Sequence, residues 1–445
     1  MSKKHLPFES VSRRDLLKLG MGAGVIGPLA LTAGNAKAVN TKAHVVIVGA
    51  GAGGLSMANR LTNSLQGAKI TIIDAREKHY YQPGWTLVAS GVWNKEKTET
   101  QVADWLPNSV NWVKGMVAEY NPDNNRVVLE SGQLVDYDYL IVAAGLQLRY
   151  ERIEGMDVNL IGQGKGIGSV YASMNAAAAT NDEIKRWINR GSGTGLFTLA
   201  PTAIKCAGAP LKMTFTTLSR LENTGVRSNF NVEFMTPSGK LFSQPQVNAF
   251  VRQRFEEQSV KRNDFYTLKA IDADAKKATF AVRDSADIVR DYEFIHVVPP
   301  MTAPDSLMQS PLAFKQGENF TGFMKVDRET LQNPDYPNVW GIGDVMGMAL
   351  NKTAASVKMQ AAVLEQNFLA HLQNLPLPAK HNGYTSCPLI TGIGKAMLVE
   401  FGWADTMAMM PSFSFIDPMA ESWTVWVMKD RMLRPAYYAM LEGKV

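Results

Sequence analysis

The run His44-Val45-Val46-Ile47-Val48 leads directly into Gly49-Ala50-Gly51-Ala52-Gly53-Gly54, and this junction constrains the fold more than any other stretch of the chain. An unbroken β-branched run has no polar face, so it predicts a strand covered on both sides, as in a parallel sheet. Gly49, Gly51 and Gly54 fill the three positions of GxGxxG, and Leu55, Ala58, Leu61 and Leu65 then recur at helical spacing. A second strand, Ile70-Thr71-Ile72-Ile73, ends at Asp74, 20 residues beyond Gly54. The glycines permit a tight turn and close backbone approach, the helix N-terminus faces a pyrophosphate, and an acid at the second strand's end can bind ribose hydroxyls. With all four parts in register, the segment predicts a doubly wound α/β domain that binds a dinucleotide.

Two later segments indicate which one. Asp138-Tyr139-Leu140-Ile141-Val142-Ala143-Ala144-Gly145 reads as a buried strand whose small last residues, Ala144 and Gly145, let the chain pass close to a nucleotide. Asn338-Val339-Trp340-Gly341-Ile342-Gly343-Asp344 reads as a strand ending in Gly-x-Gly-Asp, with Gly343 and Asp344 placed to meet a ribityl chain. Lys352 and Thr353 open a helix whose N-terminus can stabilise negative charge on a reduced flavin ring. Lys352 could equally be an ordinary solvated lysine. Together these segments point to FAD. A second dinucleotide would need its own strand, GxGxxG and helix between Gly145 and about residue 295. There Gly162–Gly168 has the wrong glycine spacing, and Gly193-Thr194-Gly195-Leu196-Phe197-Thr198 puts Thr198 at the third glycine position. That segment runs on into a cysteine loop, so NADH is expected to be a poor electron donor.

Cys206 and Cys387 are the only cysteines in 445 residues. By count alone, two buried thiols or one structural disulfide explain them as well as a redox pair does; a neighbouring flavin favours the redox pair. At the N-terminus, Ser12-Arg13-Arg14-Asp15-Leu16-Leu17-Lys18 is a twin-arginine pattern, followed by an apolar run and by Ala36-Lys37-Ala38, a small-x-small cleavage site,. The run Leu19–Ala33 holds 15 residues and a proline, short of the ~20 that span a bilayer. Residues 1–38 are therefore expected to be a signal peptide, exporting a folded, cofactor-loaded protein to the periplasm. The leader holds Lys3, Lys4, Arg13, Arg14, Lys18 and Lys37 against Glu9 and Asp15, so most of the formal charge of +5 leaves with it. No nucleic-acid partner is implied.

Tyr80-Tyr81-Gln82-Pro83-Gly84-Trp85, Lys205-Cys206-Ala207-Gly208-Ala209-Pro210, His296-Val297-Val298-Pro299-Pro300 and Thr385-Ser386-Cys387-Pro388, with the glycine and Gly-Asp motifs, resemble the sulfide:quinone oxidoreductases, closest to their two-cysteine, mitochondrial-type branch. The resemblance implies an FAD enzyme in which Cys206 and Cys387 form a disulfide or sulfur-bridged pair, with Gln82 near the cofactor and Lys212 matching a family lysine six residues after the first cysteine. It also implies outgoing sulfane sulfur on Cys387, with Cys206 facing the flavin. Sulfide, a small sulfur acceptor and a membrane quinone are the implied partners; a homo-oligomer is allowed. A twin-arginine leader is foreign to the mitochondrial members. The alternative is the flavoprotein subunit of a flavocytochrome c sulfide dehydrogenase, whose flavin is usually attached through a cysteine that this chain lacks before Cys206.

Met407, Met409, Met410, Phe413, Phe415, Trp423, Trp426, Tyr437 and Tyr438, interleaved with Lys429, Arg431 and Arg434, read as a monotopic interfacial anchor,. A packed helix pair is the competing reading. The expected fold is α/β with two Rossmann-like domains and a C-terminal membrane-associating region. Its parts are an FAD-binding domain from residues 40–155 and 300–380, a second Rossmann-like domain over 156–299, and a C-terminal region over 381–445.

Overall fold

In the computed structural model, residues 38–315, 321–348, 352–403 and 405–445 are described. All but the last residue of the expected leader, 1–38, lies outside them. The β-branched run forms strand β1 (His44–Val48), whose last four residues are buried. The chain then turns through the glycines into helix α1 (Ala52–Ser64) and returns in strand β2 (Lys69–Ile73). β1 is central in a five-stranded parallel sheet ordered Val339–Gly341, Tyr139–Val142, β1, β2, Asn111–Val113. The strand before Ala144-Gly145 and the strand before Gly343-Asp344 are thus neighbours, although some 200 residues separate them, and their C-terminal ends open on the same side as the glycine turn.

The intervening segment folds into a second five-stranded parallel sheet, ordered Ile167–Gly168, Phe294–His296, Gly193–Thr198, Phe230–Thr236, Val260–Asp264. Its third strand, Gly193–Thr198, leads into the Cys206 loop and helix α2 (Ala209–Asn223), which carries Pro210 in its first turn, where a missing N–H costs nothing,. Helix α3 (Ala354–Leu372) follows the Gly-Asp motif. The chain then forms the antiparallel hairpin β3 (Thr385–Gly392) and β4 (Lys395–Phe401), which packs on α2.

The C-terminal stretch departs from the interfacial reading. Val425, Trp426, Met428, Tyr437, Met440 and Leu441 are buried, and Tyr438 stacks on Trp105 with ring centroids 4.5 Å apart. The helix bearing Val425 and Trp426 packs on β4, and Tyr437 and Tyr438 meet Tyr81 and Trp105 of the first domain, so they pack inward; Phe415 and Trp423 remain more than two-thirds exposed. Among the described residues no helix is long and apolar enough to cross a membrane.

The glycine turn is sterically committed. A Cβ on Gly54 would sit 1.7 Å from the Gly49 carbonyl oxygen, and one on Gly49, whose φ is +103°, would sit 2.5 Å from the Ala143 oxygen. Both obstacles are backbone, which cannot rotate away. Gly54→Ala is expected to destabilise the protein by about 1–3 kcal/mol or more and to lower the flavin retained on purification, measured as the ratio of flavin to protein absorbance together with the thermal midpoint.

Candidate active site

The C-terminal ends of the first sheet, α3, the Cys206 loop and the hairpin enclose a cavity of about 1130 Å³. Of the residues singled out in the sequence, Gly51, Gln82, Ala144, Gly145, Cys206, Lys212, Gly343, Asp344, Lys352, Thr353 and Cys387 line it. Gly49, Gly54 and Asp74 stand behind the wall. A Cβ on Gly51 or Gly145 would meet no atom within 4 Å, so at both positions bare backbone faces open space. The N-terminus of α1 has no side-chain cap and no acid in its first turn, which leaves its amides and dipole for an anion. This cradle fits the pyrophosphate of a dinucleotide.

Asp74 is buried and accepts hydrogen bonds from the Ala50 N–H (2.7 Å) and from Arg76 through Nε (3.0 Å) and Nη2 (2.7 Å). Burial opposes its charge, but the Arg76 guanidinium and these donors hold its carboxyl below the usual range,. Its carboxylate thus braces the glycine turn and presents Arg76 to the cavity, a role the ribose-binding expectation did not include.

Lys352 is not a solvated lysine. It is buried, and its Nζ donates to the carbonyls of Asp344 (2.6 Å) and Met346 (2.8 Å). Burial pushes its pKa down to about 8, against the pull of Asp344. Burial likewise raises the pKa of Asp344, against Lys352 and Lys205. Thr353 caps α3, its Oγ1 accepting from the Ser356 N–H and lying 3.2 Å from Thr385 Oγ1 on β3. Gln82 accepts a hydrogen bond from Lys205 Nζ at 2.7 Å. The cofactor motifs are therefore cross-linked to the segments that carry the two cysteines.

Those cysteines, 181 positions apart in sequence, meet at the cavity. Both are free thiols. Cys206 has φ +46°, a left-handed conformation unusual for a side chain with a Cβ,. It is held there by its N–H donating to the Lys352 carbonyl (2.9 Å) and by its carbonyl accepting from Ala209 N–H (2.7 Å) and Tyr171 hydroxyl (3.3 Å). Gly208 makes room for the meeting, since a Cβ there would lie 2.5 Å from Cys387 Sγ.

The pair is electrostatically unequal. The Cys387 thiol donates a hydrogen bond to Cys206, and this, with the positive charges of Lys212 and Lys429 outweighing burial, holds the Cys206 pKa well below the ordinary thiol value. The same hydrogen bond, reinforced by burial, raises that of Cys387. Lys212, in the first turn of α2, places Nζ 3.6 Å from Cys206 Sγ. Burial pulls its pKa down, but the two cysteines outweigh that and raise it, so it stays charged.

Lys429 corrects the sequence reading. Expected among basic residues at a membrane surface, it is buried, and its Nζ donates to the Pro83 carbonyl at 2.6 Å. Burial, with the Lys212 charge adding, pushes its pKa down to about 7. It lies in a single π-helical turn, Met428–Met432, a local widening frequent at functional sites. In sequence it opens the charged triplet Lys429-Asp430-Arg431 after the apolar Trp426-Val427-Met428, and nothing local marks it as buried. Tyr384, Glu400 and Ser412, which also line the cavity, were missed too, because nothing in their spacing links them.

Reduced protein is expected to react with iodoacetamide at Cys206 at pH values where a free thiol is inert, Cys387 staying unmodified. Lys212→Met should raise the pH midpoint of that labelling by roughly 1–3 units, read by mass spectrometry of the two cysteine peptides.

Comparison with known proteins agrees with this geometry. The family model described as pyridine nucleotide-disulphide oxidoreductase matches residues 43–363. A mitochondrial sulfide:quinone oxidoreductase of Mus musculus is 34% identical over 428 residues, covering 95% of this chain and 91% of that protein. One of Dictyostelium discoideum is 36% identical over 403 residues, covering 90% and 86%. The crystal structure of the sulfide:quinone oxidoreductase of Aquifex aeolicus superposes with a TM-score of 0.75 at 19% identity, over 90% of this chain and 92% of that one. With an FAD-type glycine cradle in place and relatives of this identity over nearly the full length, the chain belongs to the sulfide:quinone oxidoreductase family of FAD-dependent pyridine nucleotide-disulphide oxidoreductases.

Proposed function

We propose that this protein oxidises sulfide to sulfane sulfur through Cys206 and Cys387 and passes the two electrons, by way of FAD, to a membrane quinone. The observation that carries the reading is the unequal cysteine pair beside the dinucleotide cradle. The names of the relatives are those of quinone-linked enzymes, which gives the flavocytochrome alternative no support.

Oxidation of the two thiols to a bridge releases two electrons and two protons, and FAD supplies the electron acceptor when bound. Hydrosulfide then attacks one sulfur of the bridge; the old S–S bond breaks as a new one forms, and the other sulfur leaves as thiolate. The sulfur with the lower pKa leaves faster. That is Cys206, held as an anion by Lys212 and the Cys387 thiol, so hydrosulfide attacks Cys387 and the sulfane sulfur resides there. A small nucleophilic acceptor then takes the outer sulfur, returning Cys387 to a thiol that donates to Cys206. Gln82, Asp344, Lys352 and Thr353 would hold and polarise the cofactor, Gly51 and Gly145 admitting it.

Two exposed aromatic residues give the membrane reading its remaining support. Phe415 packs on Phe413, a cavity-lining residue, with centroids 5.4 Å apart, and Trp423 begins the C-terminal helix. The exposed Phe415, next to the cavity wall, suits a lipid quinone that enters from the bilayer's edge,. The export reading rests on Arg13 and Arg14, whereas the relatives' names place those proteins in mitochondria. Fractionation tests both. Phe415→Ser with Trp423→Ser should move flavin-loaded protein from membranes to the soluble fraction, and Arg13→Lys with Arg14→Lys should keep it in the cytoplasm. Unchanged distribution would overturn the corresponding reading.

Anaerobic titration with sulfide should bleach the flavin absorbance, and a soluble quinone should restore it. Cys206→Ser and Cys387→Ser should each slow the bleaching by about a hundredfold or more while leaving flavin content intact. Wild-type rates in both variants would make the pair structural.

A further inference from the structure

Glu400 is buried on β4, directly across the ladder from Ser386. One of its carboxyl oxygens, Oε1, accepts hydrogen bonds from both the Tyr384 hydroxyl and the Ser412 hydroxyl, which also lie 3.2 Å from each other. The other, Oε2, accepts from the Ser412 N–H at 2.7 Å. Among the described residues no lysine, arginine or histidine lies within salt-bridge distance of it. Three donors, the Tyr384 hydroxyl, the Ser412 hydroxyl and the Ser412 N–H, hold the carboxyl in place of a cation. The group faces the cavity under a wall of Met410, Pro411 and Phe413, the wall that continues to exposed Phe415. An apolar slot with one hydroxyl-and-carboxyl station at its base suits a flat ring that carries carbonyl oxygens.

We propose that Glu400, with the Tyr384 and Ser412 hydroxyls, is the proton-delivery station for quinone reduction. The inference rests on the quinone reading above and adds the residues that serve it. Reduction of a quinone to hydroquinone consumes two electrons and two protons. The reduced cofactor, when bound, would supply the two electrons and at most one of the protons, so one further proton must come from the protein. With the proton on Oε1, Glu400 donates to one of the two hydroxyls, whose own hydrogen turns into the cavity and passes to the quinone oxygen. The carboxylate left behind, accepting from both hydroxyls as the structure shows, is reprotonated from water before the next turnover. Burial, with the Glu400 charge adding, keeps the Tyr384 pKa high, so its hydroxyl relays a proton without losing it permanently,.

Glu400→Gln keeps the shape of the group and removes its transferable proton. In rapid-mixing experiments on the flavin-loaded variant, reoxidation by decylubiquinone should slow by about a hundredfold, while bleaching by sulfide and reoxidation by ferricyanide, which takes up no proton, stay within about twofold of wild type. The infrared difference spectrum between reduced and oxidised protein should lose a protonated-carboxyl band. The double variant Tyr384→Phe, Ser412→Ala keeps the carboxyl and removes both relays; it should show the same split, and it serves as the test should Glu400→Gln fail to fold. Wild-type reoxidation by quinone in whichever variant folds, or a parallel loss with ferricyanide, overturns the proposal. A wild-type protein that sulfide cannot bleach or quinone cannot reoxidise would instead defeat the reading on which the proposal rests.

Discussion

The contact between the Cys206 sulfur and the Lys212 ammonium is the one on which the rest of the site depends. Removing two ions from water costs on the order of several kcal/mol each, recovered only where geometry and further hydrogen bonds are good. Here the additional donor is the Cys387 thiol, so the charge on Cys206 and the position of Cys387 stabilise each other. If the hairpin is displaced, Cys206 loses a donor; if α2 is displaced, Lys212 goes with it. The left-handed backbone at Cys206 is tolerated because the Lys352 carbonyl, the Tyr171 hydroxyl and the start of α2 hold it from three sides,.

This arrangement explains why a second Rossmann-like sheet lies where it does. Its third strand delivers the chain to the cavity as the corresponding strand of the first sheet does, but the turn that follows holds Cys206 where β1 is followed by glycines. The N-terminus of α2, its Lys212 in the first turn, favours an anion, as the N-terminus of α1 does. The same kind of element, a helix N-terminus, thus faces the cavity from both domains. The Cys206 N–H to Lys352 carbonyl bond then ties the two domains at the point where sulfur and cofactor must meet.

How far the sequence could be read follows from the range of the interactions. β1, the glycine turn, α1 and β2 are local, and their strand, turn and helix signals survive intact; the helix boundary alone moved, Leu65 leaving α1 for a short strand. The Gly-Asp and Lys352-Thr353 segments were legible because each carries its own backbone logic. Lys429 was not, because its burial is decided by Tyr81 and Pro83, more than 340 positions away, and a lysine among aromatics looks the same at a membrane surface as at a cavity wall. The inward packing of Trp426 and Tyr437 was hidden for the same reason. Asp74 shows the opposite failure: its position was right, but Arg76, two residues on, takes the carboxylate.

Charge within the cavity is sorted by task. Lys205, Lys212, Lys352 and Lys429 converge on the sulfur and cofactor side, where anions are made and consumed. Burial lowers the pKa of three of them, Lys205, Lys352 and Lys429, whereas Lys212, in contact with the thiolate, moves the other way. A cluster of four fixed cations would repel itself; two groups near neutrality beside one firmly charged lysine can instead follow the anions as they form and leave. Glu400, on β4 of the hairpin, lines the same cavity with no cation within salt-bridge distance among the described residues. On β3 neighbouring residues alternate in direction: Glu400 pairs across the ladder with Ser386, whereas Cys387 pairs with Val399, and both Cys387 and Glu400 line the one cavity,.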